Sequence, residues 1–235
     1  SNFGAGDNVL RYDAATGDFM NIFVPTGSGG LVNGQDLLFG PDGNLYISSA
    51  PTDEVLRYDG TTGVFMGAFV TVGDGGLDRP LGMVFGPDGN LYVSSGANGA
   101  DEVLRYDGMT GAFIDVFVTP GSGGLDQPRN LAFRDGNLYV GSLDTDEVLR
   151  FDAISGAFVD VFVSSGSGGL IDPFELLFDA AGNLIVASGG SDQVLHYDGG
   201  TGAFLGELVN GGSGGLDGPV GMVFGTDGDL YVSSF

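Results

Sequence analysis

The chain has 235 residues and a formal net charge of −24, from 31 acidic residues against seven basic residues that are all Arg. Nucleic acid is excluded as an expected partner because phosphate binding needs clustered Lys and Arg, and no apolar run is long enough to predict membrane insertion. The absence of Cys excludes disulfides and thiol catalysis, while 42% hydrophobic residues predict a packed core in spite of 46 Gly.

One short sequence, Val-Leu-Arg-Tyr-Asp, organises the whole chain. It recurs in close variants that begin 46, 48, 45 and 46 residues apart, at Val9, Val55, Val103, Val148 and Val194. Repeats of this length built from short apolar runs are typical of β-propeller blades. The Gly content and the aromatic and β-branched runs exclude helical repeats of similar length.

Each repeat predicts four short strands joined by tight turns. In the clearest copy the strands are residues 81–85, 91–95, 103–106 and 113–118. Turns rich in Pro, Asp and Gly separate them, which predicts an up-and-down antiparallel meander. Because the strands are apolar on both faces, each sheet should be stacked between neighbours, as blades are. The Gly-rich stretches that follow, 27–31 being the first, are expected to cross from blade to blade.

The two ends of the chain carry complementary parts of a repeat. Residues 9–24 supply a third and a fourth strand, and residues 220–234 supply a first and a second strand. We therefore expect an all-β, five-bladed propeller with four antiparallel strands per blade, closed by a two-plus-two clasp of these segments. Residues 1–235 would form one domain of five repeats, and strong self-repulsion predicts a monomer.

The segment from Pro80 to Ser95, followed by Val-Leu-Arg-Tyr-Asp, resembles the NHL-repeat and streptogramin-lyase-like β-propellers of the SMP-30-like superfamily. The resemblance extends over all five repeats. It implies a propeller that often serves as an extracellular or sensory binding module, with a few enzymatic relatives. Two features depart from the family: five blades replace the usual six or seven, and the catalytic His residues of the lyases have no counterpart beyond the single His196.

Most polar residues in the repeat predict structure rather than catalysis. His196 occupies the position held by Arg in the other repeats, so we interpret it as a structural variant. The G-x-S-x-G pattern at 211–215 lies in a repeated crossing stretch, without the strand-to-helix turn of a nucleophile elbow. The paired Ser residues of the second strand, and the Asp of the first turn, recur in most repeats, which predicts hydrogen bonds within the blade.

The most informative positions are those where the repeats disagree, just at the start of the first strand. The residues there are Gln35-Asp36, Leu81-Gly82, Arg129-Asn130 and Phe174-Glu175. First strands of a propeller line the central channel, so these positions are expected at its mouth. Asp36, Asn130 and Glu175 offer oxygen ligands that suit Ca²⁺ or another hard cation. Arg129 could instead hold a small polar ligand. The resemblance adds that SMP-30-like enzymes bind their metal through Glu, Asn and Asp. Solvated polar residues at a wet channel mouth are the simpler alternative.

A second acidic group is predicted on one face of the propeller. It combines the loops between second and third strands, with Asp7, Asp53, Asp101, Asp146 and Asp192, and the crossing loops, with Asp78, Asp126, Asp172 and Asp217. If this face binds divalent cations, calcium should raise the melting temperature more than sodium at matched ionic strength.

These observations favour a non-enzymatic acidic propeller that acts as a binding or structural scaffold. Its partner would be a protein, a glycan or a small polar ligand, and its location extracytoplasmic or secreted. The near-uniform repeats also fit natural amplification or engineering from a blade consensus. The alternative is a metal-dependent hydrolase or lyase with its site at the channel mouth.

Overall fold

The computed structural model describes residues 7–14, 16–96, 99–225 and 227–234. These residues form 20 short β-strands, and the helical segments are 3₁₀ turns of three residues each. None of the described residues belongs to a helix with the length and apolar character needed to cross a membrane. The chain divides into two compact units, Ser1–Phe117 and Val118–Phe235, which are described separately.

The first unit contains one two-stranded and two four-stranded antiparallel sheets. The two-stranded sheet is β1 (Val9–Tyr12) with β2 (Phe19–Val24). The next sheet is formed by β3 (Gly34–Phe39), β4 (Leu45–Ser49), β5 (Glu54–Tyr58) and β6 (Phe65–Val70). The following one is formed by β7 (Pro80–Phe85), β8 (Leu91–Ser95), β9 (Glu102–Tyr106) and β10 (Phe113–Val118), whose last residue opens the second unit.

The second unit contains two four-stranded sheets and one two-stranded sheet. The first is formed by β11 (Pro128–Arg134), β12 (Asn137–Ser142), β13 (Glu147–Asp152) and β14 (Phe158–Val163). The second is formed by β15 (Pro173–Phe178), β16 (Leu184–Ser188), β17 (Gln193–Tyr197) and β18 (Phe204–Val209). The two-stranded sheet is β19 (Gly221–Phe224) with β20 (Leu230–Ser233). Strands within each four-stranded sheet follow one another in chain order, as predicted.

The prediction of five four-stranded blades closed by a clasp is wrong. The described residues form four four-stranded sheets, while residues 9–24 and 220–234 form separate two-stranded sheets. Each of these is a hairpin of consecutive strands, which needs only local pairing. The two end segments contain enough strands for a fifth blade, but strand content alone does not decide whether two distant hairpins pair. Whether residues 1–235 are one domain stays a prediction.

The core lies between neighbouring sheets, where the apolar faces of adjacent blades meet. In the first unit, Tyr46 and Phe69 of one sheet pack with Met83 and Leu91 of the next. In the second unit, Tyr139 and Phe162 take part in a corresponding cluster with Leu176 and Leu184. The second and third strands are therefore buried by stacking, as expected. The fourth strands, which are also apolar on both faces, stay partly exposed, with Phe113 and Ile114 of β10 as examples.

The crossing loops explain part of the Gly content. Gly29 has φ 65°, and a Cβ at this position would lie 2.3 Å from the Phe65 ring. Gly75 repeats this geometry against Phe113. Only a residue without a side chain allows the fourth strand's aromatic ring to pack directly on the loop. The Tyr58 hydroxyl fixes the same loop by donating a hydrogen bond to the carbonyl of Ser28, at 2.8 Å.

Candidate functional site

The positions where the repeats disagree coincide with a β-bulge in the first strand of every four-stranded sheet. Gly34 pairs with Ser49 and Leu37 pairs with Ile47, so residues 35 and 36 together oppose Ser48. The same register shift occurs between Pro80 and Met83, between Pro128 and Leu131, and between Pro173 and Leu176. Bulges redirect side chains and are common next to active sites, so the backbone presents these residues in one conserved local geometry.

Asp36 has a hydrogen-bonded carboxylate that links two neighbouring sheets. One oxygen, Oδ1, accepts the amide hydrogen of Leu37 at 2.7 Å, and the other, Oδ2, accepts that of Met83 in β7 at 2.8 Å. The Asp36 amide donates to the Ser48 hydroxyl at 2.9 Å, and that hydroxyl donates to the carbonyl of Leu81 at 2.9 Å. Asp36 therefore fastens the bulge of the first sheet to the first strand of the second.

Burial raises the pKa of the Asp36 carboxyl to about 6, and the two backbone hydrogen bonds oppose this rise without cancelling it. A carboxyl group with such a pKa exchanges its proton close to neutral pH. That property suits a general acid or base as well as a structural carboxyl, so it does not by itself assign a catalytic role. Gln35, the preceding residue, donates from its side-chain amide to the carbonyl of Asn33 at 3.4 Å.

In the second unit, Arg129 and Phe174 come together, although 45 residues separate them in the chain. They begin the neighbouring strands β11 and β15, which are in contact, and the guanidinium carbon of Arg129 lies 5.1 Å from the centre of the Phe174 ring. This distance is within the range of a cation–π interaction. The structure thus joins two of the predicted ligand-binding residues into one surface feature.

Asp172 lies close enough to Arg129 for its pKa to respond to the guanidinium charge. Burial raises the pKa of Asp172, the negative charges of Asp146 and Asp144 raise it further, and the positive charge of Arg129 opposes them. The side-chain amide of Gln127 donates to Asp144 at 2.8 Å. The surroundings are therefore mixed: one cation stacked on a ring, with several carboxylates close by.

Asn130 and Glu175 lie beside this pair, at the bulges of β11 and β15, and both are partly buried. In the described part of the chain, no group of three or more His, Cys, Asp or Glu side chains is placed to hold a metal ion. The predicted ligand set contains only two such residues, with Asn130 as the third ligand. Metal binding by Asp36, Asn130 and Glu175 therefore stays a prediction.

The second Ser of each repeated pair bonds within its own blade, as predicted, whereas Ser48, the first of its pair, also bonds to Leu81 of the next sheet. The Ser95 hydroxyl accepts the amide hydrogen of Asp78 at 3.1 Å and donates to the carbonyl of the same residue at 3.0 Å. Ser188 makes the same pair of bonds to Ile171, at 2.9 and 2.8 Å. Both side chains are fully buried. These hydroxyls hold the crossing loop against the second strand, which leaves them no role as nucleophiles.

The Asp residues of the loops between second and third strands hold the crossing loops, which the sequence did not predict. Asp53 Oδ1 accepts the amide hydrogen of Arg79 at 2.8 Å. The same bond recurs 26 residues apart in other repeats, from Asn33 to Asp7, from Asp172 to Asp146 and from Gly218 to Asp192. Each donor residue has a positive φ, between 45° and 53°. The constant spacing between an Asp and a residue in a left-handed conformation was the signal that could have revealed this link.

His196 takes the place of Arg in its strand and forms a local pair. Its Nε2 lies 3.1 Å from Oδ2 of Asp179. Burial raises the pKa of Asp179, but hydrogen bonds from the Asn183 amide and from His196 outweigh burial and hold it below the ordinary value. In the corresponding position Arg105 binds Asp115 across the strand pair, with Nε to Oδ1 at 3.0 Å. The prediction that His196 is a structural variant agrees with this geometry.

Comparison with family models and with curated proteins gives no match. Among solved structures, the chain is similar to a gluconolactonase from Xanthomonas campestris, with 18% identity, a TM-score of 0.75 and coverage of 97% of this chain and 76% of that one. It is also similar to virginiamycin B lyase from Staphylococcus aureus, with 14% identity, a TM-score of 0.68 and coverage of 97% and 71%.

A nidogen/laminin complex provides a third similar structure, with 18% identity, a TM-score of 0.68 and coverage of 86% of this chain and 72% of that one. The fold is therefore that of a β-propeller of the kind found in streptogramin lyases, SMP-30-like enzymes and NHL-like modules. This class includes both enzymes and binding modules, so the fold does not choose between them.

Proposed function

We propose that this protein is a non-enzymatic binding scaffold, whose repeated framework presents the bulge residues of its first strands to a ligand. The observation that carries the proposal is that recurring polar residues and variable polar residues are used differently. The polar side chains that recur, such as Ser95 and Asp53, are engaged in hydrogen bonds to backbone atoms. The residues that differ between repeats lie on bulges of common geometry, which is how a scaffold varies its contacts without changing its fold.

We propose a neutral sugar or glycan as the ligand class. The Arg129 guanidinium, stacked on the Phe174 ring, offers planar hydrogen-bond donors, and Asn130 and Glu175 add hydrogen-bonding groups at the adjoining bulges. Apolar faces combined with a few placed polar groups are the usual composition of small-ligand sites. An anionic ligand is disfavoured by the net charge of −24. The similarity to a gluconolactonase fold is consistent with a sugar-like ligand.

The binding test uses a panel of neutral sugars, namely glucose, galactose, mannose and cellobiose, monitored by two-dimensional amide NMR. We expect at least one sugar to shift the amide signals around Arg129 and Phe174. The matched control replaces both bulge pairs with the Leu-Gly of the second sheet, as Arg129→Leu, Asn130→Gly, Phe174→Leu and Glu175→Gly. This variant should keep the fold, because Leu81-Gly82 already occupies the same bulge, and should lose the shifts. No shift with any sugar would contradict the proposed ligand class.

The alternative, a metal-dependent hydrolase or lyase, is supported by the raised pKa of Asp36 and by the enzymes among the similar structures. It is tested by hydrolysis of glucono-δ-lactone with Ca²⁺, Zn²⁺ or Mn²⁺ added, together with elemental analysis of the purified protein. The scaffold proposal expects no turnover above the spontaneous rate. Metal-dependent turnover that disappears in Asp36→Gly would overturn it in favour of an enzyme.

A further inference from the structure

The two-stranded sheets expose residues that the four-stranded sheets bury. Tyr12 of β1 is 52% exposed, whereas its equivalents Tyr58 and Tyr106 are fully buried. Tyr231 of β20 is 55% exposed, whereas its equivalents Tyr46 and Tyr92 are 1% exposed. In every complete sheet these two Tyr positions belong to the third and second strands, which pair directly with each other. Each two-stranded sheet therefore lacks the strand that the other one carries.

The local geometry of each hairpin already matches that of a complete sheet. The rings of Tyr12 and Phe19 meet edge to face at 5.8 Å, as those of Tyr106 and Phe113 do. The Tyr231 hydroxyl donates to Asp227 at 2.9 Å, just as that of Tyr92 donates to Asp88 at 3.0 Å. Both hairpins are thus preformed, and joining them would require little further ordering.

We propose that a second copy of this chain completes these sheets, with β20 of one copy pairing in antiparallel fashion with β1 of the other. The complete sheets supply the register. In the first of them Leu45 pairs with Tyr58, Tyr46 with Arg57, and Ile47 with Leu56. The equivalent intermolecular pairs are Leu230 with Tyr12, Tyr231 with Arg11, and Val232 with Leu10. A shift of one residue would turn the apolar side chains to the wrong face, so this register is strongly preferred.

Charge complementarity supports the same pairing. In a complete sheet Arg105 lies over the Phe117 ring at 5.2 Å, and its Nη1 lies 3.8 Å from the Oδ2 of Asp88. Arg11 lies over Phe23 at 5.3 Å and so holds the equivalent position in its hairpin. The predicted register brings Arg11 of one copy to Asp227 of the other. The proposed contact between β20 and β1 therefore pairs opposite charges at one point, although the two molecules repel each other overall.

The contact is expected to respond to salt in a characteristic way. Each copy carries a net charge of −24, so long-range repulsion opposes association at low ionic strength. The buried part of the contact between β20 and β1 is apolar, so salt does not weaken it. Sedimentation velocity over a range of protein concentrations should therefore show reversible self-association that strengthens as NaCl is raised.

Disulfide trapping tests the register directly, because the chain contains no Cys. The double variant Leu10→Cys, Val232→Cys places two thiols opposite each other across the proposed contact between β20 and β1. Oxidation should give covalent dimers or larger species on a non-reducing gel. The matched control, Leu10→Cys with Tyr231→Cys, is one residue out of register and should remain uncrosslinked. If Leu10→Cys, Val232→Cys forms a disulfide within a single chain, or forms none, the proposal is overturned.

Charge reversal provides an independent test. Arg11→Asp and Asp227→Arg should each weaken self-association about tenfold or more, because each places like charges opposite each other. The two substitutions combined should restore the association, which a merely misfolded hairpin would not do. Far-UV circular dichroism identifies variants that fold. Folded single variants that associate as tightly as the unaltered chain would contradict the proposed contact.

Discussion

The bulges of the first two complete sheets are Gln35-Asp36 and Leu81-Gly82, and the difference at the second residue shows what a variable position can mean. In the second sheet the Gly82 amide donates to the Ser94 hydroxyl at 2.8 Å, and that hydroxyl donates to the Gly82 carbonyl at 3.2 Å. In the first sheet the Asp36 amide makes the same bond to Ser48, but the carboxylate adds a bond to Met83 of the next sheet. The backbone of the bulge is maintained without the carboxyl group. Asp36 therefore adds a link between sheets, which is a structural role at a position where the repeats disagree.

This comparison refines the rule that function lies where repeats differ. Arg129 and Phe174 form a surface pair that the framework does not require, since Leu81-Gly82 occupies the same bulge without it. Asp36, in contrast, is engaged by backbone amides on both oxygens. Variation among repeats thus identifies candidates for binding, and the hydrogen bonds of each candidate decide how much of its side chain the fold already uses.

The largest expected effect comes from making the first bulge like the second, with Asp36→Gly. The pKa of Asp36 is raised from 3.8 to about 6 in the folded protein, so the fold prefers the protonated form. The contribution of Asp36 to stability is then fully present below about pH 4 and is lost as the pH rises through 6. Because Asp36 keeps part of its surface in solvent, we expect this loss to reach at most about 3 kcal/mol.

The measurement is the free energy of unfolding by urea for both proteins between about pH 3.5 and pH 7, where the unaltered protein should lose stability relative to Asp36→Gly as the pH rises. The matched control is Asp107→Asn. The Thr110 hydroxyl and amide lower the pKa of Asp107 below 3.8, so its contribution is constant above about pH 4 and is lost only at the acid end of the titration, which is the opposite direction. A pH-independent difference between the unaltered protein and Asp36→Gly would show that burial does not disfavour the Asp36 carboxylate.

The next effect tests the hydroxyl of the second strand that holds the crossing loop. Ser95→Ala removes a fully buried hydroxyl and leaves the Asp78 amide and carbonyl without this partner, which should cost about 2 kcal/mol. Ser94→Ala is the control, because Gly141 and Ala187 occupy its position in the second unit without a hydroxyl. We expect a smaller loss for Ser94→Ala in the same urea titration. Equal losses would mean that the two hydroxyls are equivalent, against the pattern in the repeats.

The sequence predicted the framework because the framework repeats. The 46-residue period, the turn residues and the runs apolar on both faces were sufficient to place the strands within each sheet and to predict that the paired Ser residues make hydrogen bonds within the framework. The structural role of His196 stays a prediction. They were not sufficient for the pairing of the two hairpins formed by residues 9–24 and 220–234, since a distant strand pair depends on closure and not on local pattern.

The residues of the candidate site were predicted, but their geometry was not, because it depends on pairing between strands and between sheets. Disagreement among repeats identified Gln35-Asp36, Arg129-Asn130 and Phe174-Glu175, and the structure places all of them on bulges. The bulge itself could not be read, because it depends on the register between two strands. The bond from Met83 to Asp36 depends on contacts between sheets, which a repeat pattern does not specify.

A smaller effect is expected from the Asp residues that hold the crossing loops. Asp53→Ala removes the acceptor for the amide of Arg79, a residue that is held at φ 51°. The loss should be about 1 kcal/mol in the melting or urea transition, because this amide lies near solvent and water can replace part of the bond. Asp59→Ala is a matched exposed control in the same sheet; it also loses hydrogen bonds, but only within its own turn.

Calcium should change the melting temperatures of Asp53→Ala and Asp59→Ala by different amounts. If the loop Asp residues bind divalent cations, calcium should raise the melting temperature of the unaltered protein more than NaCl at the same ionic strength, and Asp53→Ala should reduce that gain while Asp59→Ala leaves it unchanged. Identical responses to both salts in all three proteins would reduce the effect to screening and leave Asp53 as a purely structural residue.

The smallest effect concerns the position where His196 stands in place of Arg. It tests whether replacing Arg by His there changes the stability of the fold. Arg150 binds Asp160 through paired hydrogen bonds, with Nε to Oδ1 at 3.0 Å, whereas Arg57 has Gly67 opposite and no carboxylate there. Arg150→His should therefore cost about 0.5–1 kcal/mol, and Arg57→His less. Combining Arg150→His with Asp160→Gly isolates the contribution of the pair in a double-mutant cycle. If both His substitutions cost the same, the cross-strand carboxylate contributes nothing, and the repeats tolerate His there because stacking of the side chain on the neighbouring Phe ring is what the position requires.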